Sequence, residues 1–303
     1  MKFIDLNKQY KKIKDSVNKD ILDTLEKTDF ILGKKVNELE ENLANYVGVK
    51  ECVTCASGTD GLLIPLMAHN ISTGDIVFTT NFSYFATAEV ISLVGATPVF
   101  VDIDYETFNI DSESLEIEIK RILRENKLVP KAIISVDIFG QLADYTKIEK
   151  IAKKYNLLLI EDAAQSFGSS ANNKKSCSFG DVAATSFYPS KPLGCYGDGG
   201  AIFTNDKKFA DLCRSIRVHG QGNDKYDNVR IGLNSRLDTI QATVLLNKLK
   251  IFDQELIDRN NIASYYSKNL SKYIKTPFLA KNNKSSWAQY SILTKNEIER
   301  NEL

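Results

Sequence analysis

The stretch Leu157-Leu158-Leu159-Ile160-Glu161-Asp162-Ala163-Ala164-Gln165-Ser166 decides the fold. Its apolar half does not alternate with polar residues, so the strand it predicts is buried on both faces. Strands of that kind belong to mostly parallel sheets covered by helices on both sides. A carboxylate directly after such a run is costly unless it meets a cation or hydrogen-bond donors. Asp162 therefore has two readings: facing a cationic ligand atom or a metal, or capping the turn that follows.

Runs of the same kind recur at Ile76–Thr79, Pro98–Asp102, Ala132–Asp137, Val182–Phe187 and Gly200–Thr204, with a strand-like ECVTCAS at 51–57. Helical spacing is predicted between them over 59–69, 84–95, 112–125, 144–155 and 206–217. Two amphipathic segments come first, at Tyr10–Leu25 and Val36–Val47, the second stopped by Gly48. The alternation is that of an α/β protein, a mostly parallel central sheet flanked by helices. Beyond Asn234 the pattern changes. Ile240, Val244, Leu245, Leu249, Phe252 and Leu256 share one face of a long helix reaching residue 270. Ala288–Leu293 then reads as a strand, and KNEIERNEL as the start of a helix. The expected division is a large domain over 1–240 and a smaller C-terminal α+β domain over 241–303.

The chain has 303 residues, with 39 Lys plus Arg against 39 Asp plus Glu, which excludes a large single-sign field. Nucleic acid is thereby disfavoured as a partner, as is an anionic membrane surface. At 43% hydrophobic and 26% charged, the composition is that of a folded globular protein. The apolar runs are too short to span a bilayer, and the N-terminal MKFIDLNKQYKKIK lacks the apolar core of a signal peptide. Five cysteines give no disulfide framework, and a reduced, cytoplasmic protein is expected. Cys52 and Cys55 have only His69 and His219 to complete a metal site, so no metal is expected.

Several unusual residues fall where strands end, the place where open α/β sheets gather ligands. Cys55-Ala56-Ser57-Gly58-Thr59-Asp60-Gly61 is a small polar turn opening a helix. Its amides, with the hydroxyls of Ser57 and Thr59, suit a phosphate; a plain N-cap by Thr59 or Asp60 explains the same residues. Lys191 stands between Pro189 and Pro192 just past a buried run. A lysine held in a partly desolvated site can lose its proton and attack a carbonyl, whereas an ordinary surface lysine is the plainer alternative. The glycine-rich Gly194–Gly200 matches neither the Walker nor the dinucleotide pattern, and there is no G-x-S-x-G elbow. In Asn81-Phe82-Ser83-Tyr84-Phe85, core packing is expected for Phe82 and Phe85, leaving Tyr84 to stack on a flat ring. Arg236 has the bidentate donor set for a carboxylate or phosphate, or for a surface salt bridge. Together, a phosphate turn, a stacking aromatic, a strand-end Asp and a strand-end Lys are what a pyridoxal phosphate pocket requires.

SGTDGL, EDAAQSFGSS, TSFYPSKPLGCYGDGGAIFTND and RVHGQG, in that order, carry a specific likeness. The chain resembles the DegT/DnrJ/EryC1/StrS family of nucleotide-sugar aminotransferases, within the fold-type I pyridoxal phosphate enzymes. The likeness runs from Phe3 to Ala242 and more thinly beyond. It implies that Lys191 holds pyridoxal 5'-phosphate and moves the proton, that Asp162 pairs with the ring nitrogen, and that Tyr84 lies over the ring. It further implies Gln165 near the ring oxygen and Gly58, Thr59 and Ser186 on the phosphate. Asn234 would reach the phosphate across a homodimer interface, with Arg236 beside it for a sugar carboxylate. The implied reaction moves an amino group from L-glutamate to a nucleotide-linked ketosugar, with a UDP-linked 3-keto-N-acetylhexosaminuronate as the form the motif wording favours, in surface polysaccharide synthesis. Family members that dehydrate sugars carry histidine where Lys191 stands, so a dehydratase is the rival within the fold. A catalytically silent binding module is the rival outside it. Family members usually run longer, so an incomplete small domain, with impaired turnover, is expected.

Overall fold

The computed structural model describes residues 4–224 and 226–302. Phe3, where the family likeness begins, and Leu303 lie outside the described residues. Two helices open the chain, α1 (Leu6–Lys27) and α2 (Lys34–Val47), the latter ended by Gly48 at φ 89°. There follow β1 (Glu51–Cys55), α3 (Gly58–Ala68), β2 (Asp75–Thr80), α4 (Ala86–Leu93), β3 (Thr97–Val101), α5 (Ser112–Glu125) and β4 (Val129–Val136). Next come α6 (Tyr145–Tyr155), β5 (Leu158–Asp162), the short β6 (Ser170–Ala171) and β7 (Lys174–Lys175), β8 (Val182–Ser186), β9 (Gly200–Thr204) and α7 (Lys207–Ile216). The long α8 (Thr239–Leu270), β10 (Asn283–Lys284) and α9 (Glu297–Glu302) complete the order.

The main sheet runs β1-β9-β8-β5-β4-β2-β3. Strands β2, β3, β4, β5 and β8 pair in parallel, while β9 is antiparallel to both β8 and β1, so β9 alone runs against the rest. The mostly parallel sheet expected from the unalternating runs is thus present. Strands β5 and β8 are buried almost throughout, with an apolar cluster on each side of the sheet.

Register brings the chemistry to one edge. Val136 pairs with Asp162, and Gly200 lies between Cys55 and Ser186, so β1, β4, β5 and β8 all end together. Glycine is required at 200, because a Cβ there would collide with the Ser57 carbonyl. The first half of α8 buries Ala242, Leu245 and Phe252 in the same apolar cluster as Phe167, Phe187 and Phe203. Its second half reaches toward β10, which pairs with β6 to form a separate three-stranded sheet.

One expected element is absent. Ala288–Leu293 is not a strand; Leu293 makes an isolated bridge to Lys275. Its aromatic neighbours turn to α8 instead, Trp287 donating from Nε1 to Asn260 at 3.0 Å and Tyr290 sharing a hydrogen bond with Ser267 at 2.9 Å. Among the described residues, no helix is long and apolar enough to cross a membrane, and the five cysteines are buried and free.

Candidate active site

A cavity of about 470 Å³ opens at the carboxyl edge of the sheet. Its floor is the α3 N-terminus. Ser57, not Thr59 or Asp60, is the cap, its hydroxyl accepting the Asp60 amide at 3.1 Å. Ser57 has the extended backbone a cap needs (φ −159°, ψ 166°), whereas Thr59 and Asp60 already belong to the helix. Gly58 and Thr59, in the first turn, line the cavity, and their amides have no intrahelical acceptor. Ser186, the last residue of β8, comes so close that a Cβ on Gly58 would lie 2.6 Å from its own. Glycine at 58 thus lets α3 and the end of β8 come close enough for the Ser186 hydroxyl to stand beside the first turn of the helix. A helix N-terminus with bare amides attracts an anion.

Asp162 stands at the opposite wall, 5% exposed. Its Oδ2 accepts the Thr87 hydroxyl at 2.9 Å and its Oδ1 the Ala164 amide at 3.2 Å. Burial pushes its carboxyl above the usual range, against the pull of those donors and of Lys191. Lys191 lies in the same wall of the cavity, its ammonium destabilised by burial and partly restored by Asp162, so its pKa is lowered. Its loop is fixed by the Lys191 amide donating to Tyr188 O at 2.8 Å, and by Arg259 of α8 donating to Pro192 O at 3.3 Å.

Gln165 lines the cavity too, with its Oε1 accepting the Phe139 amide at 2.7 Å, which turns the amide NH2 toward the space. Tyr84 covers the mouth and is 72% exposed. Core packing of Phe82 and Phe85 is not observed. Both are exposed, because α4 starts only at Ala86 and the preceding turn holds these rings at the surface.

Every site residue expected from the sequence lines this cavity except Asn234 and Arg236. Asn234 is exposed and bridges to Val218, and its neighbour Ser235 accepts the Ala56 amide at 3.2 Å, just behind the Ser57 turn. Thr87, Ser83, Tyr188 and Asp198 line the cavity without having been singled out. For Thr87 the available signal was its place one helical turn after Ser83, to which its hydroxyl bonds at 2.7 Å.

The donor set matches pyridoxal phosphate at both ends: bare amides and a serine hydroxyl for the phosphate, a buried carboxylate for a ring cation. The depressed lysine between them suits a carbonyl carbon. Comparison with known proteins agrees. The model of the DegT/DnrJ/EryC1/StrS aminotransferase family matches residues 11–303. The chain belongs to the DegT/DnrJ/EryC1/StrS aminotransferase family. It is 50% identical over 293 residues to the UDP-2-acetamido-2-deoxy-3-oxo-D-glucuronate aminotransferase of Pseudomonas aeruginosa, spanning 96% of this chain and 79% of that one. A DegT/DnrJ/EryC1/StrS aminotransferase from Brucella abortus superposes with a TM-score of 0.97 at 50% identity, over 99% of this chain and 80% of that one. NtdA of Bacillus subtilis, solved with bound cofactor PMP, superposes at 0.86 and 28% identity, over 96% of this chain and 65% of that one. The family's aminotransferase chemistry is therefore the frame for this cavity.

Proposed function

We propose that this chain is a pyridoxal phosphate-dependent aminotransferase that moves an amino group from L-glutamate to the 3-keto group of a UDP-linked N-acetylhexosaminuronate. The observation that carries the reading is the pairing, in one cavity, of a buried carboxylate (Asp162) with a lysine whose proton is loosened by burial (Lys191). The bound cofactor supplies an electron sink for the carbanion left when the donor Cα loses its proton.

The chain's own residues do the rest. Lys191 holds the cofactor through its amine; when released, that amine is the base that takes the proton from the donor Cα. Its lowered pKa keeps an unprotonated fraction available for this. Asp162, oriented by Thr87 and Ala164, presents a carboxylate to the ring nitrogen and holds the proton there. Gly58, Thr59 and Ser186 bind the phosphate, Gln165 meets the ring oxygen with its amide, and Tyr84 excludes water from the ring face. Asn234 completes the phosphate site of a second copy in a homodimer, and Arg236 takes the sugar carboxylate. The same reading divides the chain into a cofactor domain over 1–240 and a small-domain segment over 241–303, in a cytoplasmic enzyme of surface polysaccharide synthesis.

The 50% identity to the Pseudomonas enzyme supports the choice of sugar. Incubation with glutamate and the UDP-linked 3-keto sugar, followed by mass analysis, tests it. The amino sugar together with 2-oxoglutarate supports the reading. A dehydrated sugar, or amination only of a 4-keto sugar, contradicts it.

A further inference from the structure

Behind the cavity, on the face of β5 opposite Asp162, two carboxyl groups are sealed in the core. Asp137 follows β4 and Glu161 immediately precedes Asp162, and both are 0% exposed. Asp137 accepts the Ala143 amide and the Tyr145 hydroxyl, each at 2.9 Å, on Oδ1, and the Ser166 hydroxyl at 2.8 Å on Oδ2. Glu161 accepts the Cys177 amide at 2.7 Å and the Ser176 hydroxyl at 3.1 Å on Oε1, and the Phe179 amide at 2.9 Å on Oε2. The Ser166 and Ser176 hydroxyls lie 2.6 Å apart. Three oxygen–oxygen contacts thus lead from Asp137 Oδ2 through the two serines to Glu161 Oε1, a ring closed through the pairing of β4 with β5.

Carboxylates are acceptors only and each serine hydroxyl brings one proton, so three contacts in the chain require a third proton, held by a carboxyl. Two ionised groups there would place like charges side by side in a dry site, which is strongly unfavourable without a cation. Among the described residues neither carboxyl is in an ion pair, and the buried pair Arg217–Glu40 lies elsewhere. The other titratable groups facing the ring, Tyr145 and Cys177, are themselves kept neutral by burial.

We propose that Asp137 and Glu161 share one proton, carried on Asp137, and act as a positioning pair that fixes the 161–166 turn presenting Asp162 and Gln165 to the cavity. What Asp162 and Gln165 do there rests on the proposed function; the pair itself does not. The turn is gripped at both ends. Glu161 anchors its start, the Ser166 hydroxyl anchors its end on Asp137, and the Asp137 amide donates to Asp162 O at 3.1 Å. Successive side chains of a strand point to opposite faces, so holding Glu161 on one side aims Asp162 into the cavity on the other. Both Glu161 oxygens accept backbone amides, whereas Asp137 Oδ2 meets only the Ser166 hydroxyl, which can turn to accept, so the proton sits on Asp137.

The test has two arms on the full chain. Infrared spectra of the cofactor-free protein at neutral pH are expected to contain a protonated-carboxyl C=O band that Asp137→Asn removes. Visible titration with pyridoxal phosphate is expected to give Asp137→Asn an affinity within about threefold of the parent, since the amide donates to Ser166 as a neutral acid does. Asp137→Ala is expected to bind at least about tenfold more weakly. Absence of an acid band assignable to Asp137 would overturn the proposal, as would an Asn variant as damaging as Ala. If Asp137→Ala does not fold, the comparison of Asn with parent and the infrared arm still decide. If the parent itself bound no pyridoxal phosphate, the proposed function would fail while the infrared arm still read the pair.

Discussion

The Thr87 hydroxyl donates to Asp162 Oδ2 at 2.9 Å, tying the first turn of α4 to the last residue of β5. That bond crosses from one βα unit to another and is the direct support of the carboxylate that faces the cavity. Thr87→Val keeps the shape and removes the donor, so Asp162 is expected to protonate more readily and to grip a ring cation less well. Affinity for pyridoxal phosphate should fall roughly tenfold, at about 1 kcal/mol of folding stability, with Thr87→Ser restoring most of both. Absorbance titration and thermal melts measure the two effects.

Lys191→Ala should abolish the visible band of lysine-bound pyridoxal phosphate and lower the amination rate by about 10³-fold or more. Because Lys191 is a partly buried cation, removing it should leave the thermal melt unchanged or raised. A melt that falls sharply would mark Lys191 as a structural residue.

Gly58→Ala tests the cradle. The added methyl would lie 2.6 Å from Ser186 Cβ, so β8 or α3 must shift. A cost of about 1–3 kcal/mol is expected from overpacking. The phosphate end of the cofactor should be affected more than the ring end, so inorganic phosphate should lose its ability to compete with pyridoxal phosphate.

Stability of the cofactor-free protein should depend on pH in a stated direction. The folded-state values of Asp162, Asp137 and Glu161 are all raised. For an acid with a raised folded value, the unfolded chain loses its proton first. The contribution of these three groups to stability is therefore greatest below the unfolded value of about 4 and falls as pH rises toward the folded ones. Thermal melts of the parent should fall over this range more steeply than those of Asp137→Asn.

Asn234 lies outside the cavity of its own chain, which makes the interface role testable by mixing subunits. Lys191→Ala and Asn234→Ala are each expected to be impaired as homodimers. Unfolded and refolded together in equal amounts, they should regain about a quarter of parental activity, since half the dimers carry one intact site. No recovery would place Asn234 in the site of its own chain.

Much of this was legible because the chemistry is local. Asp162 and Lys191 each follow an unalternating apolar run, and a strand end in an open sheet is where ligands collect. What stayed hidden depends on distant partners. Thr87 reads as an ordinary helix residue until β5 arrives beside it, and Ser166 and Ser176 read as turn residues until Asp137 and Glu161 close the ring. Phe82 and Phe85 are exposed, against the expectation of core packing, because apolarity alone cannot tell a core ring from one held in a surface turn. Ala288–Leu293 has strand-like composition, yet its neighbours Trp287 and Tyr290 find partners on α8, and tertiary contact overrides local preference.

The half-reaction with glutamate tests the central claim most directly. Protein loaded with pyridoxal phosphate, mixed with L-glutamate and no sugar, should lose its visible absorbance and release 2-oxoglutarate in a one-to-one ratio with active sites, and Lys191→Ala should do neither. A loaded protein whose spectrum and keto-acid content stay unchanged with glutamate would contradict the account.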